Sequence, residues 1–171
     1  MTIVHELEKL HGLLAKVDFK SSKKLITIDG FSWSGKSKVS AYLSQALSIP
    51  VVYIDDYFTK DGRFLESFKF ENFSATVAKL SQSSSIIVDG IMVQDILARI
   101  GTKADLFLYV KRVSPYGIWS DGFKLDKLLR SDDDNVSTGY DPFQDQLVQY
   151  HLRVRPHERA DITFELMEGT A

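Results

Sequence analysis

The chain has 171 residues, 44% of them hydrophobic and 26% charged, enough apolar material for the core of one domain. Its 21 basic against 23 acidic side chains leave a net charge of −2, without the basic excess of a non-specific nucleic-acid binder. It has no cysteine, which excludes disulfides, a thiol nucleophile and Cys-ligated zinc, and no apolar run approaches the roughly 18 residues of a membrane span.

Residues 1–6 show no basic segment leading into an apolar one, so the expectation is a cytoplasmic protein without a membrane or nucleic-acid partner. Ile3, Leu7, Leu10, Leu14 and Val17 then recur at spacings of three and four, which predicts an amphipathic helix within residues 1–20. Its apolar stripe is expected to pack on the domain; a homodimer contact is the alternative. Lys20, Lys23 and Lys24 form the densest basic cluster and read as a solvated connection.

From residue 24 short apolar runs alternate with helical stretches. Strands are expected at 25–28, 51–54, 86–88 and 106–110, with residues 162–164 closing the sheet as a fifth. Helices are expected at 36–47, 73–80 and 93–100, with further helical material in 114–131 and 141–152. Strands apolar on both faces, alternating with helices, point to a parallel sheet covered on each side. Nothing in the pattern marks a repeat or a second domain, so residues 1–171 read as one.

Gly30-Phe31-Ser32-Trp33-Ser34-Gly35-Lys36-Ser37 fits G-x-x-x-x-G-K-[ST], the Walker A pattern. Such a loop must curl so that successive N–H groups face phosphate oxygens, which requires glycine where φ is positive or the backbone comes close. A helix beginning near Lys36 offers its positive end to the same anion. Gly30, Ser32, Ser34 and Gly35 are therefore the expected nucleotide contacts of the loop, with Lys36, Ser37 and Lys38 at the helix start. Lys36 would reach the β- and γ-phosphates and Ser37 would ligate Mg²⁺. Phe31 and Trp33 are expected to pack beneath or beside the loop, with stacking on a ligand as the alternative.

Asp55 and Asp56 directly follow the second strand, and ligands of open parallel sheets sit beyond the carboxyl ends of strands. A carboxylate there can accept a hydroxyl proton or help position a metal. Asp89 ends the third strand, where a hard oxygen donor suits Mg²⁺. The four histidines show no metal-ligand spacing and are assigned no chemistry.

Together with the late Tyr150-His151, Arg155-Pro156 and Ala160-Asp161, these motifs resemble the uridine kinase-like branch of P-loop kinases over about residues 24–165. The resemblance implies a three-layer α/β/α sandwich of the P-loop NTPase class, with a mainly parallel five-stranded sheet and an extra N-terminal helix. It implies an ATP- and Mg²⁺-dependent phosphotransferase acting on a hydroxyl of a small metabolite, such as a nucleoside or a vitamin-like alcohol. Asp55 matches the general base, Asp89 the metal-associated acid, and residues 160–162 the stretch leading into the last strand beside the nucleotide base. A lid is implied over about residues 112–140, with Arg130 as first choice to neutralise phosphate and Arg112, Arg153 and Arg155 as further candidates. The hairpin by which uridine kinases recognise pyrimidine and ribose has no match in residues 59–85, so uridine and cytidine are expected to be poor acceptors. An NTPase switch and a catalytically silent nucleotide-binding module are the rival readings.

Overall fold

The computed structural model describes residues 1–59, 65–123, 125 and 142–169. Six strands form one sheet: β1 (Thr2–Val4), β2 (Leu25–Asp29), β3 (Val51–Tyr53), β4 (Ile86–Asp89), β5 (Leu106–Val113) and β6 (Ile162–Met167). Every pairing is parallel and the order is β1-β6-β5-β2-β4-β3. The helices are α1 (Leu7–Leu14), α2 (Lys36–Leu47), α3 (Phe70–Ser83), α4 (Val93–Arg99), α5 (Pro142–Val154) and the single turn α6 (Pro156–Arg159).

Alternate strand residues feed different cores, as a sheet with two covered faces requires. Ile26, Ile28 and Ile87 pack with Leu10 and Leu14 of α1 and Val39 and Leu43 of α2. Leu25, Ile86 and Val88 pack instead with Phe73 and Val77 of α3 and Ile96 and Leu97 of α4. The result is the expected three-layer α/β/α arrangement.

The sheet has six strands where five are expected, and the difference lies at the amino end. Thr2-Ile3-Val4 pairs with β6, from Thr2 opposite Ile162 to Val4 opposite Phe164. β-branched Thr, Ile and Val favour the extended state, and an open sheet edge supplies the partner. The helix therefore starts at Leu7 rather than Ile3 and ends at Leu14, short of Val17. Ile3 fits the helical spacing by coincidence.

Of the helical material expected within 114–131, the described residues carry it at Gly122, Phe123 and Leu125, whereas residues 114–120 are not helical. Val113 bridges Trp119, and Ser114 accepts and donates across a tight turn containing Gly117. Most of the implied lid, including Lys124, Lys127 and Arg130, lies outside the described residues.

Parallel topology places the ends of β2, β3 and β4 at one edge. In register, Asp89 stands opposite Ile28 of β2 on one side and Tyr53 of β3 on the other. The loop after β2, the acids after β3 and the last residue of β4 are thus brought together. The chain runs from β2 out to β3, back to β4, then across β2 to β5, which makes this edge the topological switch point where α/β proteins bind ligands.

Candidate active site

The loop between β2 and α2 turns as its two glycines demand. A Cβ on Gly30 would lie 2.6 Å from the Val110 carbonyl oxygen and 2.8 Å from Ser34 Oγ, so only glycine fits that approach. Gly35 has φ 92°, in the left-handed region, immediately before α2 begins at Lys36. Ser34 N–H donates to the Phe31 carbonyl at 3.2 Å and closes the turn.

Phe31 and Trp33, expected to share one role, part company. Phe31 is buried and stacks on His151 of α5 at 3.8 Å with 13° between the rings. Trp33 is 89% exposed. It also takes φ 66°, a left-handed conformation that costs a bulky L-residue about 1–2 kcal/mol. The expectation that Trp33 packs beneath or beside the loop is not met, which leaves the alternative of stacking on a ligand.

Lys36 is buried, and its Nζ donates to the Phe31 carbonyl at 2.7 Å. Burial pushes its pKa below the usual lysine range, while Asp89, Asp29 and Asp55 pull it back up. Ser37 and Lys38 are exposed at the start of α2, and Ser32 is half-buried. A cavity of about 540 Å³ opens here, lined by Ser32, Trp33, Gly35, Lys36, Ser37 and Lys38. Its far wall is Tyr53, Asp55, Asp89, Gly90, Ile91 and Phe143.

Asp89 is 2% exposed at the end of β4. Its Oδ2 accepts the Ser40 hydroxyl at 2.8 Å, whereas Oδ1 is buried without a hydrogen-bond partner among the described residues. Burial raises its pKa above the usual carboxylate range, against the pull of Ser40, Lys36 and Ser37. Asp55 sits in the 3-10 turn Ile54–Tyr57 that follows β3. It is exposed and faces the cavity, whereas Asp56 is exposed and does not line it.

Beneath the loop lies a buried polar network in which the motif residues Tyr150 and His151 take a role that the sequence does not assign them. Asp29, the last residue of β2, accepts the Gly30 N–H at 2.7 Å and the Tyr150 hydroxyl of α5. Burial raises its pKa to about 6, with Tyr150, Gly30 and Lys36 opposing the rise. His151 donates from Nδ1 to the Leu147 carbonyl at 2.7 Å, which leaves Nε2 to pair with the Tyr109 hydroxyl at 2.8 Å. His151, assigned no chemistry from spacing, is thus a loop support. Ser40 was equally unmarked; its one signal is a small hydroxyl residue one helical turn after Ser37.

The remaining arginine candidates do not reach the cavity. Arg112 pairs with Glu168 at 3.7 Å, Arg155 with Glu158 at 3.5 Å, and Arg153 with Asp95. Asp161 lies at the amino end of β6, the edge opposite the loop, where its carboxylate accepts the Phe107 N–H at 2.8 Å. The stretch 160–162 does lead into the last strand, but its acid is a structural tie. Among the described residues, no group of three or more His, Asp or Glu could hold a metal by itself. A divalent ion here would draw most of its shell from phosphate and water oxygens.

Among solved structures, the chain is similar to a possible uridine kinase from Bacillus stearothermophilus, at 16% identity and a TM-score of 0.60. That alignment covers 92% of this chain and 96% of the other. The chain has the α/β fold of P-loop kinases. A shikimate kinase from Aquifex aeolicus aligns at 20% identity and TM-score 0.46, over 82% of this chain and 85% of that one. A gluconokinase from Sinorhizobium meliloti 1021 aligns at 15% identity and 0.46, over 86% and 84%. Only the first score is high enough to bear on the fold. No family model and no curated protein matches the chain. Among the described residues no helix is long and apolar enough to cross a membrane.

Proposed function

We propose that the chain is a P-loop small-molecule kinase that moves the γ-phosphoryl group of ATP to a hydroxyl of a small metabolite. The observation that carries this reading is that Lys36, Asp55 and Asp89 line one cavity at the switch-point edge of the sheet. A cation, an accessible carboxylate and a buried carboxylate are the groups that phosphoryl transfer needs: charge neutralisation, a proton acceptor and a metal anchor.

Each residue has a distinct task. The loop N–H groups not already given to Asp29 and to the Phe31 carbonyl, together with the amino end of α2, bind the phosphates. Lys36, on leaving the Phe31 carbonyl for phosphate oxygen, offsets the negative charge of the transferring group. Asp55 accepts the proton of the acceptor hydroxyl as its oxygen bonds to the γ-phosphorus and the bond to the β-phosphate oxygen breaks, leaving ADP. Asp89 and Ser37 would hold Mg²⁺. The unpartnered Oδ1 of Asp89 beside an exposed Ser37 hydroxyl is the donor set that fits such an ion. When bound, the ion neutralises phosphate oxygens. In this reading residues 1–171 act as one domain, residues from about 112 to 140 form its lid and Arg130 contributes charge from there.

The test is incubation with ATP, Mg²⁺ and a panel of nucleosides, vitamins and sugar alcohols, with phosphorylated product detected by mass. A product that the parent makes and Lys36→Ala does not supports the reading. ADP formed in the stoichiometry of ATP consumed, with no phosphorylated acceptor, would make the chain an NTPase instead.

A further inference from the structure

Gly90 and Ile54 pack against each other between the two acids of the site. Gly90 follows Asp89, the last residue of β4, and Ile54 precedes Asp55 at the start of the turn after β3. A Cβ on Gly90 would stand 2.5 Å from Ile54 Cβ, 3.0 Å from its Cδ1 and 3.1 Å from its Cγ2. Carbon atoms in ordinary contact lie about 3.5–4.0 Å apart, so a side chain at 90 demands a displacement of about 1 Å. Backbone conformation does not require glycine here, because Gly90 is not among the glycines with positive φ. What residue 90 lacks is space.

The sheet decides which side of this contact yields. β4 is an interior strand, paired with β2 on one side and β3 on the other, and the Gly90 N–H continues that ladder by donating to the Ile28 carbonyl at 3.2 Å. Asp89 is held further by the Ser40 hydroxyl at 2.8 Å. β3, in contrast, is the edge strand and spans only Val51–Tyr53. Ile54 is fully buried in one core with Phe73, Val77, Val88 and Ile96, so it has no room to swing aside alone. A side chain at 90 therefore moves the turn Ile54–Tyr57 as a unit, and Asp55 with it, while Asp89 stays in the ladder.

We propose that Gly90 and Ile54 are positioning residues for phosphoryl transfer: their contact sets how near the Asp55 carboxylate stands to Asp89 and the phosphate loop. A general base must come within about 2.6–3.2 Å of the oxygen whose proton it takes. Misplacement by about 1 Å costs on the order of 100-fold in rate. The phosphate cradle is built after β2, on the far side of Asp89, so a change at 90 acts on transfer rather than on nucleotide binding. This inference rests on the kinase reading above and assigns part of its geometry to a contact that touches neither nucleotide nor acceptor.

The parent is first screened with ATP, Mg²⁺ and the panel of nucleosides, vitamins and sugar alcohols. The acceptor it phosphorylates fastest then serves for the kinetics of Gly90→Ala, Asp55→Glu and the variant carrying both changes. Gly90→Ala should lower kcat about 100-fold, while the KM for ATP and the Mg²⁺ concentration for half-maximal turnover stay within about threefold of the parent's. Asp55→Glu alone should also lower kcat, because its carboxylate reaches too far. In the Gly90→Ala background the same change should raise kcat about tenfold, since the added methylene restores the reach. A fold that is merely loosened gives no such reversal of sign. If Gly90→Ala does not fold, Ile54→Ala removes the seat of the turn from the other side, and kcat should fall at least about tenfold with the ATP KM and the Mg²⁺ requirement held. A kcat for Gly90→Ala within about threefold of the parent's, or a raised Mg²⁺ requirement in place of a loss of kcat, would overturn the inference. So would an Asp55→Glu change that lowers kcat by the same factor in both backgrounds. Each of these leaves the kinase reading standing, whereas a parent that phosphorylates no member of the panel removes both.

Discussion

Asp29 and Tyr150, 121 residues apart in the chain, meet through a buried hydrogen bond in which the phenol donates to the carboxylate. The same carboxylate accepts the Gly30 N–H, so the first residue of the phosphate loop is tied through one side chain to α5. Phe31, the next residue, stacks on His151, the next residue of α5. Two consecutive loop residues are thus held by two consecutive helix residues.

This tie gives the first prediction, a pH dependence of stability. The folded-state pKa of Asp29 is about 6 against 3.8 for the free side chain, with burial as the main cause. Between those values the folded protein binds more protons at Asp29 than the unfolded chain does, so this group's contribution falls as pH rises through the window. It then stays flat above about pH 6. A shift of roughly two units corresponds to about 3 kcal/mol. Asp29→Asn keeps an oxygen for the Gly30 N–H and removes the titration. Urea unfolding at pH 4 and pH 7 should show the parent losing more stability over that interval than the variant, by a few kcal/mol. Equal losses would mean that the carboxylate at 29 does not titrate as described.

The second prediction concerns Ser40, whose hydroxyl is the hydrogen bond given to Asp89 Oδ2. With Oδ1 already unpartnered, Ser40→Ala leaves a buried carboxylate with less compensation on either oxygen. That should destabilise the fold by about 1–3 kcal/mol. It should also shift the Mg²⁺ concentration needed for half-maximal turnover, because a less supported carboxylate is more easily protonated and a poorer ligand. Denaturant titration and a Mg²⁺ titration of turnover measure the two effects, and a variant matching the parent in both would remove Ser40 from the site.

These cases mark where sequence reading reached its limit. Gly30, Gly35, Lys36 and Ser37 were legible because a loop around an anion imposes its requirements on eight consecutive residues. Asp55 and Asp89 were legible because each follows an apolar strand, and parallel topology gathers strand ends. Asp29 with Tyr150 and Tyr109 with His151 were not, since each pair is made by packing α5 against the sheet and leaves no local pattern. The strand Thr2–Val4 was hidden because its pairing depends on β6, at the far end of the chain. Ile3 happens to stand four residues before Leu7, which mimics a helical stripe. Trp33 shows the same limit: its side chain suggests a core residue, yet it stands exposed on a left-handed backbone that no sequence pattern announces.

The third prediction follows from the position of Lys36. Its ammonium is buried and hydrogen-bonded to the loop's own Phe31 carbonyl. Lys36→Ala removes the charge that would meet the γ-phosphate but keeps the loop glycines. Turnover should fall by at least about 100-fold, as loss of a preorganised charge at a transferring group does. ATP should also protect the variant less against thermal unfolding than it protects the parent. Turnover within a few-fold of the parent's would refute the assignment of this loop to the phosphates.

The last prediction separates binding from chemistry at Asp55. This carboxylate is exposed in the turn after β3 and lines the wall of the cavity that faces the loop, so it is placed to touch the acceptor rather than to build the nucleotide cradle. Asp55→Asn preserves size and hydrogen bonding but cannot take up the hydroxyl proton. The variant should bind ATP with a Kd within about threefold of the parent's, while kcat falls by about 100- to 10,000-fold, the range expected for loss of a general base. Because the change acts on the proton-transfer step, the acceptor KM should move far less than kcat. Equilibrium binding of ATP and steady-state kinetics of the two proteins decide the matter. An equal fall in ATP affinity and in transfer would show that Asp55 organises the nucleotide, and an unchanged kcat would remove it as the base.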